Sequence, residues 1–217
     1  MKISPSLLAA DFANLQTSVA KIESSVEMLH LDVMDGNFVP NISFGPDVIK
    51  ALRPHSRLFF DVHLMIERPE RYLEMFKNAG ADGITIHYES TENPAEVLKT
   101  IREMGVSPAV AISPDTKPEA IFDLLPLCDM VLVMTVYPGF GGQKLIPACL
   151  EKATVLKNEI ARQGLSVSIE ADGGIGAANL ADVLKAGIDV VVAGSAVFGA
   201  TSPEAAVAAM RAVEKEL

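Results

Sequence analysis

The chain has 217 residues, 49% of them hydrophobic and none tryptophan, enough to bury a sizeable core in one large domain. Its 18 lysine and arginine side chains against 28 aspartate and glutamate give a net charge of −10, which argues against nucleic acid or an anionic membrane as partner, since both need a basic surface. No apolar run approaches the ~18 residues that span a bilayer, and the start Met1-Lys2-Ile3-Ser4-Pro5 lacks a signal peptide's apolar core, so a cytoplasmic protein is expected.

Lys2–Ser6 reads as a short strand ended by Pro5, and Asp11 as the cap of a helix with Phe12, Leu15, Val19 and Ile22 on one stripe. A second strand, Glu27–Met34, leads through the loop Gly36–Phe44 to a helix from Pro46 to Leu52. The third and fourth strands are Arg57–Met65 and Asp82–His87, with helices Pro69–Asn78 and Asn93–Met104 after them. The fifth, Ser107–Ile112, precedes a short helix Pro118–Leu124; the sixth, Asp129–Thr135, precedes a glycine loop and a helix Pro147–Gln163. Ser166–Asp172 and Asp189–Ala193 complete the strands, followed by helices Ala177–Ala186 and Pro203–Glu216. The two cysteines, Cys128 before a strand and Cys149 at a helix start, form no CxxC motif and are read as buried free thiols.

Strands rich in Val, Ile and Leu that alternate with amphipathic helices indicate a parallel sheet. Eight such units in a chain of this length indicate closure into a (β/α)8 TIM barrel, a fold of about 200–250 residues, and residues 1–217 are read as one domain. The segments around Ala79-Gly80-Ala81-Asp82 and Ala186-Gly187-Ile188-Asp189 echo each other as helix end, glycine, aspartate and strand, and Gly105 and Gly164 mark the same corner.

In the second strand, alternation puts Leu29, Leu31 and Val33 on one face and His30, Asp32 and Met34 on the other. Burying an imidazole and a carboxylate without partners costs several kcal/mol, and a divalent cation would compensate. The third strand repeats the parity with Asp61, His63 and Met65, and the seventh offers Glu170 and Asp172. The active site of such a barrel lies at the carboxyl ends of the strands, so His30, Asp32, His63 and Asp172 converge there from three strands. That set suits one zinc ion, and also iron(II), manganese or cobalt. Asp61 and Glu170 sit one inward position deeper, as hydrogen-bond acceptors or structural carboxylates. His87 reads as a hydrogen-bonded core histidine and His55 as solvated. Met34, Met65 and Met134 flank the ligands as an apolar sleeve.

Three consecutive loops carry glycines where backbone N–H groups can face an anion: Pro138-Gly139-Phe140-Gly141-Gly142-Gln143, Asp172-Gly173-Gly174-Ile175 and Gly194-Ser195. Held in this way, a phosphate is compatible with an acidic chain.

The stretches HLDVMDGNFVPN, FDVHLM, VMTVYPGFGGQ, EADGGI and VAGSAVF closely resemble those of the ribulose-phosphate 3-epimerase family, from Ile3 to about Phe198. The resemblance implies a divalent metal on His30, Asp32, His63 and Asp172, with Asp32 and Asp172 as the acid/base pair. It also implies substrate contacts at Ser6, His63, Gly139, Phe140, Gly141, Gly142, Asp172, Gly173, Gly174, Gly194 and Ser195. The chain departs from the family's common residues at Asn37, Ser113, Tyr137 and Ala171, none of them an expected ligand. The expected reaction interconverts D-ribulose 5-phosphate and D-xylulose 5-phosphate through a metal-stabilised enediolate. No lysine stands at a strand end for a Schiff base, and no Asp-x-Lys-x-x-Asp marks the second or third strand. The alternatives are an epimerase of a hexulose 6-phosphate such as D-allulose 6-phosphate and a non-catalytic sugar-phosphate sensor. A small-molecule sugar phosphate is the expected partner, with no nucleic acid and no membrane, and a homo-oligomer is expected.

Overall fold

A computed structural model describes residues 1–217 as a (β/α)8 barrel of eight parallel strands. The strands are β1 (Lys2–Ser4), β2 (Met28–Met34), β3 (Phe59–Met65), β4 (Gly83–His87), β5 (Ser107–Ile112), β6 (Met130–Met134), β7 (Ser168–Asp172) and β8 (Val190–Val192). Each pairs with its sequence neighbour, β8 returns to β1, and the bridge between Ser6 and His30 closes the ring. Around it lie α1 (Leu15–Ala20), α2 (Pro46–Leu52), α3 (Leu73–Ala79), α4 (Pro94–Glu103), α5 (Ala148–Arg162), α6 (Leu180–Lys185), α7 (Ser195–Phe198) and α8 (Pro203–Lys215). No helix is long and apolar enough to cross a membrane.

Period-two alternation divides the interior into two parts. Outward residues such as Leu29, Leu31, Phe60, Val62, Ile84 and Val131 pack against the helices as one continuous core. Inward, Met28, Ala109, Met130 and Val190 fill the amino end of the barrel, leaving the polar inward residues above them. Both cysteines are buried and free, and His55 is exposed.

Several helices differ from their expected extents. Asp11 accepts from the Ala13 N–H at 3.0 Å and from Asn14 Nδ2 at 2.9 Å, so it orders a turn before the helix rather than the helix itself. Phe12 consequently lies outside α1, 48% exposed, with its ring 5.9 Å from that of Phe44, while Val19 and Ile22 are buried as expected. The expected helix from Ala177 begins only at Leu180, because Asn179 accepts from the Gly176 N–H and donates to Gly174 O, locking 174–179 as a turn. Pro118–Leu127 is a 3-10 helix, with Pro126 inside it lacking an N–H. Pro69–Arg71 is likewise a 3-10 turn ahead of α3. The short α7 was not apparent in the sequence.

At the amino end of the barrel, four acidic residues form a pseudo-fourfold belt. The backbone carbonyls of Glu27, Asp82, Asp129 and Asp189 accept from Phe59, Ser107, Ser168 and Lys2 N–H at 2.8–3.2 Å, each at the start of the next odd-numbered strand. Their carboxylates reach back to the preceding odd-numbered strand, where Glu27 accepts from Ile3 N–H, Asp82 from Phe60 and Asp189 from Ile169, at 3.0, 2.8 and 3.0 Å. The fourth position is Pro108, which has no N–H, and Asp129 takes the Ser107 hydroxyl at 2.9 Å instead. Each carboxylate also pairs with a cation: Arg211, Arg53, Arg102 and Lys157 respectively.

This geometry ranks two substitutions. Asp82→Ala strands the Phe60 N–H and should lower the unfolding free energy by about 1–3 kcal/mol. Asp129→Ala strands no backbone donor and should lower it by less than about 1 kcal/mol. Urea unfolding of both variants checks the order; equal losses would show that the backbone hydrogen bond is not the source.

Candidate active site

The register of β2 on β3 places His30 beside Asp61, Asp32 beside His63, and Met34 beside Met65. Because parity turns all six inward, they form stacked polar and thioether layers at the carboxyl end of the barrel. From across the ring, β7 adds Glu170 and Asp172. One ligand atom each from His30, Asp32, His63 and Asp172 falls within a cluster no wider than 4.8 Å. His30 Nε2 lies 3.1 Å from His63 Nδ1, 3.3 Å from Asp32 Oδ1 and 3.9 Å from Asp172 Oδ2. On its other side, His30 Nδ1 lies 2.7 Å from Asp61 Oδ2. That bond places the proton on Nδ1 and turns the Nε2 lone pair to the centre, the arrangement usual for a metal-bound histidine.

Three buried carboxylates, Asp32, Asp61 and Glu170, thus stand beside Asp172, whose side chain is 18% exposed, and their ionic partners are imidazoles alone. Burial would raise the Asp32 carboxyl, but His30 and His63 hold it well below the usual range. Burial and the Asp32 charge push Asp172 up to about 7. Glu170 is pushed well up by burial and by Asp61, and neither of its oxygens has a hydrogen-bond partner. Burial lowers His30, yet Asp32 and Asp61 outweigh it and raise it. One charged imidazole does not balance four carboxylates, and a divalent cation at the centre would supply the rest and return the carboxylates to their ionised form. Two imidazole nitrogens and two carboxylate oxygens fit zinc and its first-row neighbours.

Above this floor opens a cavity of about 970 Å³. Ser6, Asp32 and Asp172 form its base, and Met34, Met65 and Met134 line its wall as the expected sleeve. Ser6 Oγ donates to Asp32 Oδ2 at 2.5 Å. His30 and His63 are wholly buried beneath and are absent from the lining.

All three glycine loops reach the same rim. The N–H groups of Gly139, Gly141, Gly142, Gly173, Gly174 and Gly194 make no hydrogen bond within the protein, and Lys144 is the one basic side chain in the lining. A Cβ on Gly174 would stand 2.3 Å from the Leu145 nitrogen, and one on Gly173 2.4 Å from a Val136 methyl, both at positive φ. These two glycines are therefore demanded by the packing of the β7 loop on the β6 loop. Gly142 stands in open space, and Phe140 is 55% exposed at the edge.

Three supporting residues escaped the sequence reading. Thr135 Oγ donates to the carbonyls of Asp172 and Gly173 at 2.9 and 2.7 Å. Asn41 Nδ2 donates to Gly139 O at 2.8 Å, and Gln143 Nε2 to the carbonyls of Tyr137 and Phe140. Their partners lie on other loops or across a turn, and no local pattern marks them.

The model of the Ribulose-phosphate 3 epimerase family matches residues 2–198. The chain is 42% identical over 221 residues to a ribulose-phosphate 3-epimerase of Eremothecium gossypii, covering 96% of this chain and 91% of the relative. It is 44% identical to the Mycobacterium leprae protein of the same name, covering 96% and 93%. Among solved structures, the 3-hexulose-6-phosphate synthase of Salmonella typhimurium superposes with a TM-score of 0.73 at 21% identity, over 100% of this chain and 99% of that one. KGPDC from Streptococcus mutans superposes at 0.75 and 14% identity, over 99% and 97%; both likenesses concern the fold alone. The identity and coverage of the named relatives, on a barrel whose mouth brings two histidines and two aspartates together below a glycine rim, place the chain in the ribulose-phosphate 3-epimerase family, isomerases that act on carbohydrate phosphates.

Proposed function

We propose that the protein interconverts D-ribulose 5-phosphate and D-xylulose 5-phosphate, with Asp32 and Asp172 as the proton carriers at carbon 3. The observation that carries this reading is the meeting of two carboxylates from strands three places apart in the ring, β2 and β7, at the floor of one cavity. Groups so placed approach a planar intermediate from opposite faces. One removes the proton beside the ketone, leaving an enediolate, and the other returns a proton to the far face. Ser6 holds Asp32 by its hydroxyl, Thr135 holds the backbone of Asp172, and the methionine sleeve keeps water from the reacting carbon. The unpaired N–H groups of the glycine rim are suited to the phosphate. His30, Asp32, His63 and Asp172 would hold one divalent ion, which when bound supplies the positive charge that stabilises the oxygens of the enediolate.

Purified protein should carry about one divalent ion per chain, and thorough chelation should abolish turnover, with metal analysis and epimerase assay on one sample. Full activity in demonstrably metal-free protein would sink the metal assignment. The same assay, run beside D-allulose 6-phosphate, separates the pentulose from the hexulose reading.

Asp32→Asn and Asp172→Asn should each reduce epimerisation at least 10²–10⁴-fold, the range of about what a lost acid or base removes. Each should retain slow exchange of the carbon 3 hydrogen with deuterated solvent in one epimer only, and in opposite epimers. Metal content is measured first in each. If both retain metal and exchange the same epimer, the opposite-face assignment is wrong.

Gly194 tests the rim with little steric change. Its φ is −87°, and an added Cβ would meet Ala9 and Ser6 at 3.4 and 3.6 Å, ordinary contact distances. Gly194→Ala should raise KM for the phosphorylated sugar about tenfold, equivalent to about 1.4 kcal/mol, with kcat little changed. An unchanged KM would remove Gly194 from the phosphate site.

A further inference from the structure

A chain of hydrogen-bonded groups runs from the proposed metal centre outward along β4. His63 presents Nδ1 to the centre, 3.1 Å from Asp32 Oδ1, and Nε2 to His87 Nε2 at 2.9 Å. His87 Nδ1 in turn lies 3.2 Å from Glu89 Oε2. His63 and His87 are wholly buried, and the ring of Phe38 lies 4.8 Å from that of His87, centre to centre.

Two nitrogens at 2.9 Å need one proton between them; at the near end His63 Nδ1 faces both an acceptor, Asp32 Oδ1, and a donor, His30 Nε2, each at 3.1 Å, so the far end of the chain decides which nitrogen carries it. Glu89 Oε1 accepts from the Ser113 N–H at 2.9 Å and from the Thr116 hydroxyl. Both partners are donors, which favours the ionised, accepting carboxylate. Burial pushes Glu89 up, but the hydrogen bonds from His87, Thr116 and Ser113 outweigh it and bring it down to about 2. The loop that carries Ser113 and Thr116 is itself fixed, because Lys152 donates to the carbonyls of Ser113, Pro114 and Thr116 at 3.0, 2.5 and 2.7 Å. An accepting Glu89 leaves His87 one arrangement as a neutral imidazole: Nδ1–H toward Glu89 and the Nε2 lone pair toward His63. His63 must then donate from Nε2, and its Nδ1 lone pair points to the centre.

We infer that His87 and Glu89 are positioning residues that fix the tautomer of His63, so that its Nδ1 faces the metal centre as a ligand. The inference rests on the metal reading above and adds two residues to it. His30 is set in the same sense by Asp61 directly, whereas His63 is set through an intervening imidazole. The shorter route is closed to His63, whose Nε2 faces His87 rather than a carboxylate.

The test uses protein labelled with ¹⁵N-histidine and stripped of metal. Long-range ¹H–¹⁵N spectra should show His63 protonated at Nε2 and bare at Nδ1. In Glu89→Gln the amide can donate as well as accept, so His87 is free to reverse, and the His63 proton should move to Nδ1, facing Asp32. Zinc affinity, read by competition with a chromophoric chelator, should fall about 10–100-fold, the loss common when the partner of a liganding histidine is removed. His87→Leu should match it, whereas His87→Gln, whose amide oxygen can accept from His63 Nε2–H, should stay within about threefold of the parent. Thermal melting monitored by circular dichroism establishes that each variant is folded. If His87→Leu does not fold, Glu89→Gln, altered at a partly exposed side chain, decides alone. The inference is overturned if His63 keeps its Nε2 proton in Glu89→Gln with zinc affinity unchanged, or if His87→Gln loses as much affinity as His87→Leu. A parent protein that binds no zinc would end the metal reading, while the metal-free spectra still decide the tautomer.

Discussion

Closure of the ring between its first and second strands is the constraint on which the rest depends. β1 contributes only three residues, and Pro5 would end a strand in any sheet. Closure is nevertheless made, because the Pro5 carbonyl needs no N–H of its own to accept from His30 N at 3.0 Å. The same step carries Ser6 over His30 and sets its hydroxyl against Asp32. Without closure, His30 and Asp32 would sit near an open edge where water could solvate them. With it, they are buried, and the barrel holds a group of carboxylates that its own cations do not neutralise.

That concentration of negative charge is a deliberate imbalance in a protein otherwise packed on apolar lines. A buried carboxylate without a hydrogen-bond partner is costly, and Glu170 has none. Ordinary folding pressure would replace it with a leucine of similar reach. Its presence beneath His30, 3.7 Å from Nδ1, makes sense when a cation sits on the opposite side of the same ring.

The strands and the identity of the inward residues were legible in the sequence, because a two-residue period is local and a polar residue on the wrong face stands out at once. Asp61, His63 and Met65 could be aligned with His30, Asp32 and Met34 from parity alone, and the observed register agrees. Helix starts were less legible. Asp11 and Asn179 are good caps by type, yet each spends its side chain on a preceding turn. Of the belt, only the echo between Asp82 and Asp189 is legible, since Glu27 and Arg211, 184 residues apart, meet only after closure. His87 was read as a hydrogen-bonded core histidine, which it is. What it bonds to is not legible there, because His63 reaches it from β3 and Glu89 from the turn after β4.

The belt and the chemistry occupy opposite rims of one barrel. Ion pairs and side-chain ties that hold strand to strand are gathered at the amino end, away from the glycine rim. Apart from the closure at Pro5 and Ser6, the carboxyl end is thereby spared most of these ties and can keep its backbone N–H groups uncommitted. Such a division of labour lets the loops of the mouth change in length and residue, and with them the sugar that is recognised, while the joints that keep eight strands in register stay as they are.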